Sequence, residues 1–312
     1  LNNSDVRQAG TIDQQSLSVD LVEGRRHTGG SIRLSGDRSV DDARLAALLG
    51  QLREQRAFVA DDPFLLYNTE PTSTERAERG SIPEPDAALA EIRSAGKGRD
   101  LVGIYASGDT FQGFANSLGQ RNWFESSTFN LDWCFYLRAD KAAKNLYAGF
   151  DWDHDAFAAK VDWSVRQLQA LEREPISLSP GEYRTYLAPR ALEELMNLLS
   201  HYGAFGIRAH ETKQTPLLKM LVEGTTLSPL VNISEDTAHG VAPNFQSAGF
   251  LRPDEVPLIV EGTYAETLVS PRSAQEFGVP TNGAVGYEYP QSLAVAPGAI
   301  ASDAVGEALG SG

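Results

Sequence analysis

The stretch "SSTFNLDWCFYLRAD", residues 126–140, decides how the rest of the chain is read. Phe129, Leu131, Trp133, Phe135 and Leu137 alternate with Asn130, Asp132, Cys134, Tyr136 and Arg138. A strand sends successive side chains to opposite faces, so this period of two describes an antiparallel strand with one apolar face on a core. "DLVGIYASGDT" (100–110) reads as another strand, and "NLYAGFDW" (145–152) as a neighbour.

Toward the C-terminus, "DAFAAKVDWSVRQLQALERE" (155–174) is an amphipathic helix. "GEYRTYLAP" (181–189) reads as a strand feeding the helix "RALEELMNLLSHY" (190–202). Strands follow at "LSPLVNISED" (227–236) and "VPLIVEGTYAETLVSP" (256–271), the latter folded at Glu261-Gly262.

Toward the N-terminus, "DAALAEIRSA" (86–95) is a short helix, and the Pro-, Ser- and Thr-rich residues 61–85 read as a loop. Residues 39–59 carry a helical stripe of Leu45, Leu48, Leu49 and Leu52, with Ser39 or Asp41 as cap. Residues 14–36 alternate about Glu23-Gly24 as a hairpin, with Leu17, Val19 and Leu21 on one face. No tandem repeat is visible. The expected class is α+β. A small N-terminal α+β domain (1–98) precedes a larger, β-rich antiparallel-sheet domain with a few helices (99–312).

The 312 residues carry a net charge of −15, which argues against nucleic acid or an anionic membrane as partner. A well-solvated cytoplasmic protein is the plain expectation. The single cysteine, Cys134, allows no intrachain disulfide and reads as a buried thiol. No apolar run is long enough to span a bilayer. The chain opens without Met on "LNNSDVRQAG" and stops at "GEALGSG", so both ends read as cut.

Several clusters carry fragments of known site patterns. "IRAHETKQTP" (207–216) begins like the zinc-peptidase helix H-E-x-x-H, but Gln214 stands where the second histidine belongs and Pro216 interrupts the helix. A polar loop is the plain reading, with His210, Glu211 and His239, joined by His201, as the alternative metal set. Asp151, Asp153 and Asp155 alternate as in a calcium loop, but Ala156 and Asp162 occupy the positions that need Gly and Glu, so these acids read as helix caps. "SGDTFQGFANSLGQRNWFES" (107–126) gathers Gly108, Gly113 and Gly119 around Asn116-Ser117: a tight turn, or an edge that accepts a peptide backbone. There is no G-x-S-x-G for a serine hydrolase.

These segments, in this order, resemble the TldD/PmbA family of metallopeptidase-related proteins over nearly the whole chain. "FQGFANSLG" (111–119) resembles the family's NS-x-G turn, and residues 183–205 its strand–Pro–helix unit. Residues 227–284, "LSPLVNISED … VPLIVEGTYAETLVSP … TNGA", form the most specific part. In TldD-type members the helix of that unit carries H-E-x-x-x-H. Aligned to it, this chain has Asn197, Leu198 and Tyr202, so it resembles the PmbA/TldE branch, which lacks the metal motif. "HETKQTPLLKML" (210–221) is not typical of the family.

The resemblance implies a non-catalytic subunit with no cofactor of its own. It would pair, as a heterodimer or higher assembly, with a TldD-like zinc metalloprotease that trims unfolded or modified peptides. Family members extend further at both ends, so the closing C-terminal strands are expected to be missing. Strand addition is the natural way to hold an extended peptide. The expected peptide- or partner-facing residues are Gly113, Phe114, Asn116 and Ser117 on the glycine-rich loop, with Val256, Leu258 and Val260 on the strand 256–262. The rival functions are a stand-alone metallopeptidase with a non-standard zinc site and a peptide-binding scaffold.

Overall fold

The computed structural model describes residues 1–310. In chain order the elements are β1 (Ser16–Glu23), β2 (Arg26–Arg33), α1 (Arg38–Arg56), β3 (Thr74–Arg79), α2 (Pro85–Gly96), β4 (Asp100–Ala115), β5 (Arg121–Arg138), β6 (Lys141–Gly149), α3 (His154–Leu171), α4 (Pro189–His201), α5 (Ile207–Glu211), α6 (Leu218–Glu223), β7 (Ile233–Asp236), β8 (Glu255–Val260), β9 (Thr263–Tyr264), α7 (Pro271–Phe277), β10 (Leu293–Val295) and α8 (Val305–Leu309). The class is α+β, as the sequence implies.

The hairpin β1–β2 pairs in register from Ser16–Arg33 to Glu23–Arg26, and α1 packs on it. Leu48 and Leu52 of α1 are buried there, and a Cβ on Gly30 would lie 2.7 Å from Leu48 Cδ1, so the glycine lets helix and strand approach closely. The cap is neither Ser39 nor Asp41. Asp37 accepts from the backbone N–H of Ser39 and Val40, while Asp41 turns back to Ser35 and Gly36.

The long antiparallel hairpin β4–β5 is the spine of the molecule. On its far side β5 pairs first with β3, in parallel, and then with β6. The sequence reads β3 as loop because "TERAER" has no apolar alternation; its half-buried positions are Thr74, Arg76 and Glu78, and Glu75, Ala77 and Arg79 are exposed. Below Thr128, the odd-numbered Phe129, Leu131, Trp133 and Phe135 enter a core with Ile92 of α2 and Phe157 and Val161 of α3. The expected domain boundary near residue 98 falls between α2 and β4, whose Ile92 and Leu101 share this core. Above Thr128 the even-numbered Gln120, Asn122, Phe124 and Ser126 are the buried ones. β4 and β5 stay in unbroken register through this change of face.

The upper half of the spine packs against a second unit built on the sheet β10-β7-β8-β9. That unit's core is Ala204, Phe205, Ile233, Val256, Leu258, Ile259, Leu268 and Ala284. Gln120 Nε2 donates to Gly249 O at 3.0 Å, and Asn68 Nδ2 donates to the same oxygen at 2.9 Å. Arg76 of β3 donates to the carbonyls of Thr237, Gly240 and Ala242. Inside the second unit Arg252 and Glu235 form a fully buried ion pair, and Glu235 also accepts from the N–H groups of Gln291 and Ser292. Among the described residues no helix is long and apolar enough to cross a membrane.

Candidate functional site

The glycine-rich stretch is mostly strand. Only residues 116–120 turn: Asn116 Oδ1 accepts from the N–H of Leu118 and Gln120, both at 3.1 Å, and Gly119 supplies φ +94°. Gly113 lies opposite Trp123 in the ladder, and a Cβ there would sit 3.1 Å from the indole. The missing side chain gives that ring its seat. Phe114 is half-buried, facing Gly249 of the second unit, and Ser117 is exposed. This is the tight turn, and Gly113, Phe114 and Asn116 have structural work within the chain.

The second predicted surface fares differently along its length. Val256 and Leu258 are core residues, at 3% and 0% exposure; Val260 is exposed. Nor is the edge of β8 free. β7 takes one side, while Tyr264, Ala265 and Glu266 return along the other, with Ala265 N–H to Leu258 O and Glu266 N–H to Pro257 O at 3.0 Å.

His210 and Glu211 lie on the short helix α5, not in a loop. The four residues of the alternative metal set are not drawn into one group: among the described residues no three His, Cys, Asp or Glu side chains are placed to hold a metal. His210 Nε2 faces Ala204 O at 2.9 Å, and its ring meets Tyr264 edge-on at 4.8 Å. Burial pulls the His210 imidazole below its ordinary pKa and pushes the Tyr264 phenol up. His201 Nδ1 is 2.8 Å from Asn197 O, and His239 Nδ1 lies 3.1 Å from each Asp236 carboxylate oxygen. On α4 itself Asn197, Leu198 and Tyr202 supply neither a second imidazole nor a carboxylate that could activate water, so these residues do not fit a catalytic zinc. Asp153 is the N-cap of α3, accepting from Ala156 N–H at 2.9 Å. Cys134 is partly buried, and burial raises its pKa, which makes it a poor nucleophile.

What the structure does assemble is a surface centred on α4. Arg190, at its N-terminus, reaches across to the open face of the β4–β5–β6 sheet. Its guanidinium lies 3.8 Å from Asp132, 3.2 Å from Glu193 and 2.8 Å from Glu194, and Lys144 lies 3.4 Å from Asp132. Met196 and Leu199 rest on the second core. Leu195, Leu198 and Tyr202 remain outside, 43%, 54% and 67% exposed. The residues before α4 form no strand. Tyr183, Tyr186 and Leu187 lie in irregular chain that pairs with no strand among the described residues, and they too are exposed. Apolar and tyrosine side chains rimmed by ion pairs suit protein contact rather than catalysis. One signal of this was present in the sequence: Leu192, Leu195, Met196, Leu198 and Leu199 cover more of α4 than one buried stripe uses.

No protein-family model and no curated protein matches the chain. Solved structures do. TldE from Thermococcus kodakarensis superposes with a TM-score of 0.71 at 13% identity, over 97% of this chain and 72% of that one. A protein from Thermotoga maritima, described as a proposed modulator of DNA gyrase, gives 0.71 at 15% identity over 96% and 70%. One of the same description from Bacteroides thetaiotaomicron gives 0.68 at 16% identity over 91% and 67%.

Proposed function

We propose, on a fold that is TldE/PmbA-like, that this chain is the non-catalytic subunit of a TldD/TldE-type zinc metalloprotease complex that trims unfolded or modified peptides in the cytoplasm. The zinc belongs to a TldD-like partner, and this chain carries no cofactor. The observation that carries the reading is α4. By the alignment that the resemblance implies, Asn197, Leu198 and Tyr202 stand where a zinc helix needs its ligands and base, and the helix turns leucines outward. The chain therefore contributes surface and positioning, while bond cleavage takes place on the partner's metal.

The experiment is reconstitution. The purified chain is analysed for zinc and assayed on unfolded peptides, alone and mixed with a TldD-like protein. The expected result is zinc well below one per chain, no cleavage alone, and chelator-sensitive cleavage in a co-eluting complex. Near-stoichiometric zinc that is lost on substituting His210 or His239 would overturn it and favour a stand-alone metallopeptidase.

A further inference from the structure

The N-terminal unit, β1 and β2 with α1 packed on them, keeps its own small core: Leu48 and Leu52 belong to neither of the two larger cores. Its charge also differs from that of the rest. Residues 16–60 hold seven arginines, no lysine and six carboxylates, a net of +1 in a chain whose net charge is −15. The unit grips the strap that follows it through polar contacts. Asp62 N–H donates to Arg25 O at 2.8 Å, Arg25 Nη2 donates to Pro63 O at 3.3 Å, and Arg26 pairs with Asp61 at 2.9 Å. Asp62 then faces two ways. Its Oδ1 accepts from Phe64 N–H at 3.0 Å and sets the turn of the strap. Its Oδ2 lies 3.4 Å from His27 Nε2 of β2 and is also paired with Arg272 of α7, whose guanidinium sits 5.4 Å from the centre of the Phe64 ring. Further along, the strap is fixed to the second unit again, where Asn68 N–H donates to Ala248 O at 2.8 Å.

We infer that Asp62 and Arg272 form a clasp that holds the N-terminal unit against α7, and that residues 63–67 are the hinge on which this unit swings when the clasp opens. Three observations converge. The Asp62 side chain is only 16% exposed, so its charge is poorly screened and attracts a cation more strongly than a surface carboxylate does. One oxygen serves both the hairpin and α7, so the same group ties the strap to the N-terminal unit and to the second unit. Between Asp62 and Asn68 the strap has no helix or strand to carry rigidity from one anchor to the next. The closed position is therefore held at this joint by charge, and added salt weakens it. With the clasp closed, the N-terminal unit travels with the second unit. With it open, the nearest tie to that unit is Asn68. The inference rests on this joint and stands apart from the reading of α4.

The test uses the full chain in a Cys134→Ser background, with spin labels at Glu54→Cys of α1 and Gln275→Cys of α7, both exposed positions. Pulsed electron resonance reads the distance between them. The unaltered joint is expected to give one narrow distance at low salt and a broader distribution at about 1 M salt. Arg272→Met should broaden the distribution already at low salt, raise the open population roughly fivefold, and abolish the further response to salt. Asp62→Asn keeps the oxygen that Phe64 N–H needs and removes the charge. It should reproduce Arg272→Met, and the double variant should be no more open than either single one. Arg272→Lys retains the cation and should stay closed. Circular dichroism unchanged from the unaltered chain shows that each variant folds; where one does not, the salt series on the unaltered joint decides alone. A distance that neither salt nor Arg272→Met broadens would overturn the inference. So would additive effects of the two single substitutions, or broadening in Arg272→Met with an unaltered joint indifferent to salt.

Discussion

His210 shows at the scale of one side chain why a motif fragment is not a site. Its ring is spent on Ala204 O and on the edge of Tyr264, under enough burial to hold the imidazole below its ordinary pKa. The unfolded chain therefore takes up a proton first as pH falls. Stability attributable to this group is full above about 6.5 and declines below it, by up to about 1.4 kcal/mol per pH unit. Chemical denaturation of the native chain and of His210→Gln between neutral pH and pH 5 should diverge in that sense, with the variant losing less on acidification. Parallel curves would mean that the ring is solvated. Gly113 makes a similar point: a glycine that reads as a peptide cradle serves as the flat bed of Trp123. Sequence supplies the residue type, but only the facing strand says what the missing Cβ is for.

At the scale of elements, α4 carries the prediction. Leu195 and Leu198 are exposed, so replacing both with Glu should leave the stability of the isolated chain within about 0.5 kcal/mol. The same change should cost about 2 kcal/mol or more of binding to a TldD-like partner, roughly 30-fold in Kd, measured by titration calorimetry. Unaltered binding would remove α4 from the interface. Elements whose pattern was set by burial were legible: the alternation of 16–23 and 128–138, the stripe of α1, and the reversal at Glu261-Gly262. Elements set by partners were not. β3 is a strand because β5 offers it an edge, although its own residues give no alternating apolar signal. Residues 181–188, which read as a strand, stay irregular and pair with no strand among the described residues. Val256 and Leu258 read as surface only because sequence cannot show that they join a core with Phe205, Ile233 and Leu268. The candidate surface was less legible than the fold, since exposure depends on what packs elsewhere.

At the scale of the whole molecule, Arg76 joins Gln120 and Asn68 in linking the two packed units. Arg76 leaves β3 and donates to the carbonyls of residues 237–242 while lying over the Phe124 ring at 4.5 Å. Arg76→Met would keep the bulk and strand several carbonyls. It should lower stability by about 2–3 kcal/mol and resolve a single thermal transition into two, seen by calorimetry. A single transition at an unchanged midpoint would show that the units are coupled elsewhere. The spine itself does something no single contact can. Its buried side chains are odd-numbered below Thr128 and even-numbered above it, in one continuous ladder. An insertion or deletion of one residue in β5 would turn apolar groups to water in whichever half must slip. Length changes in this hairpin are therefore quantised: the strands can grow or shrink only in steps of two, and the distance between the two cores is a ruler with marks about 7 Å apart.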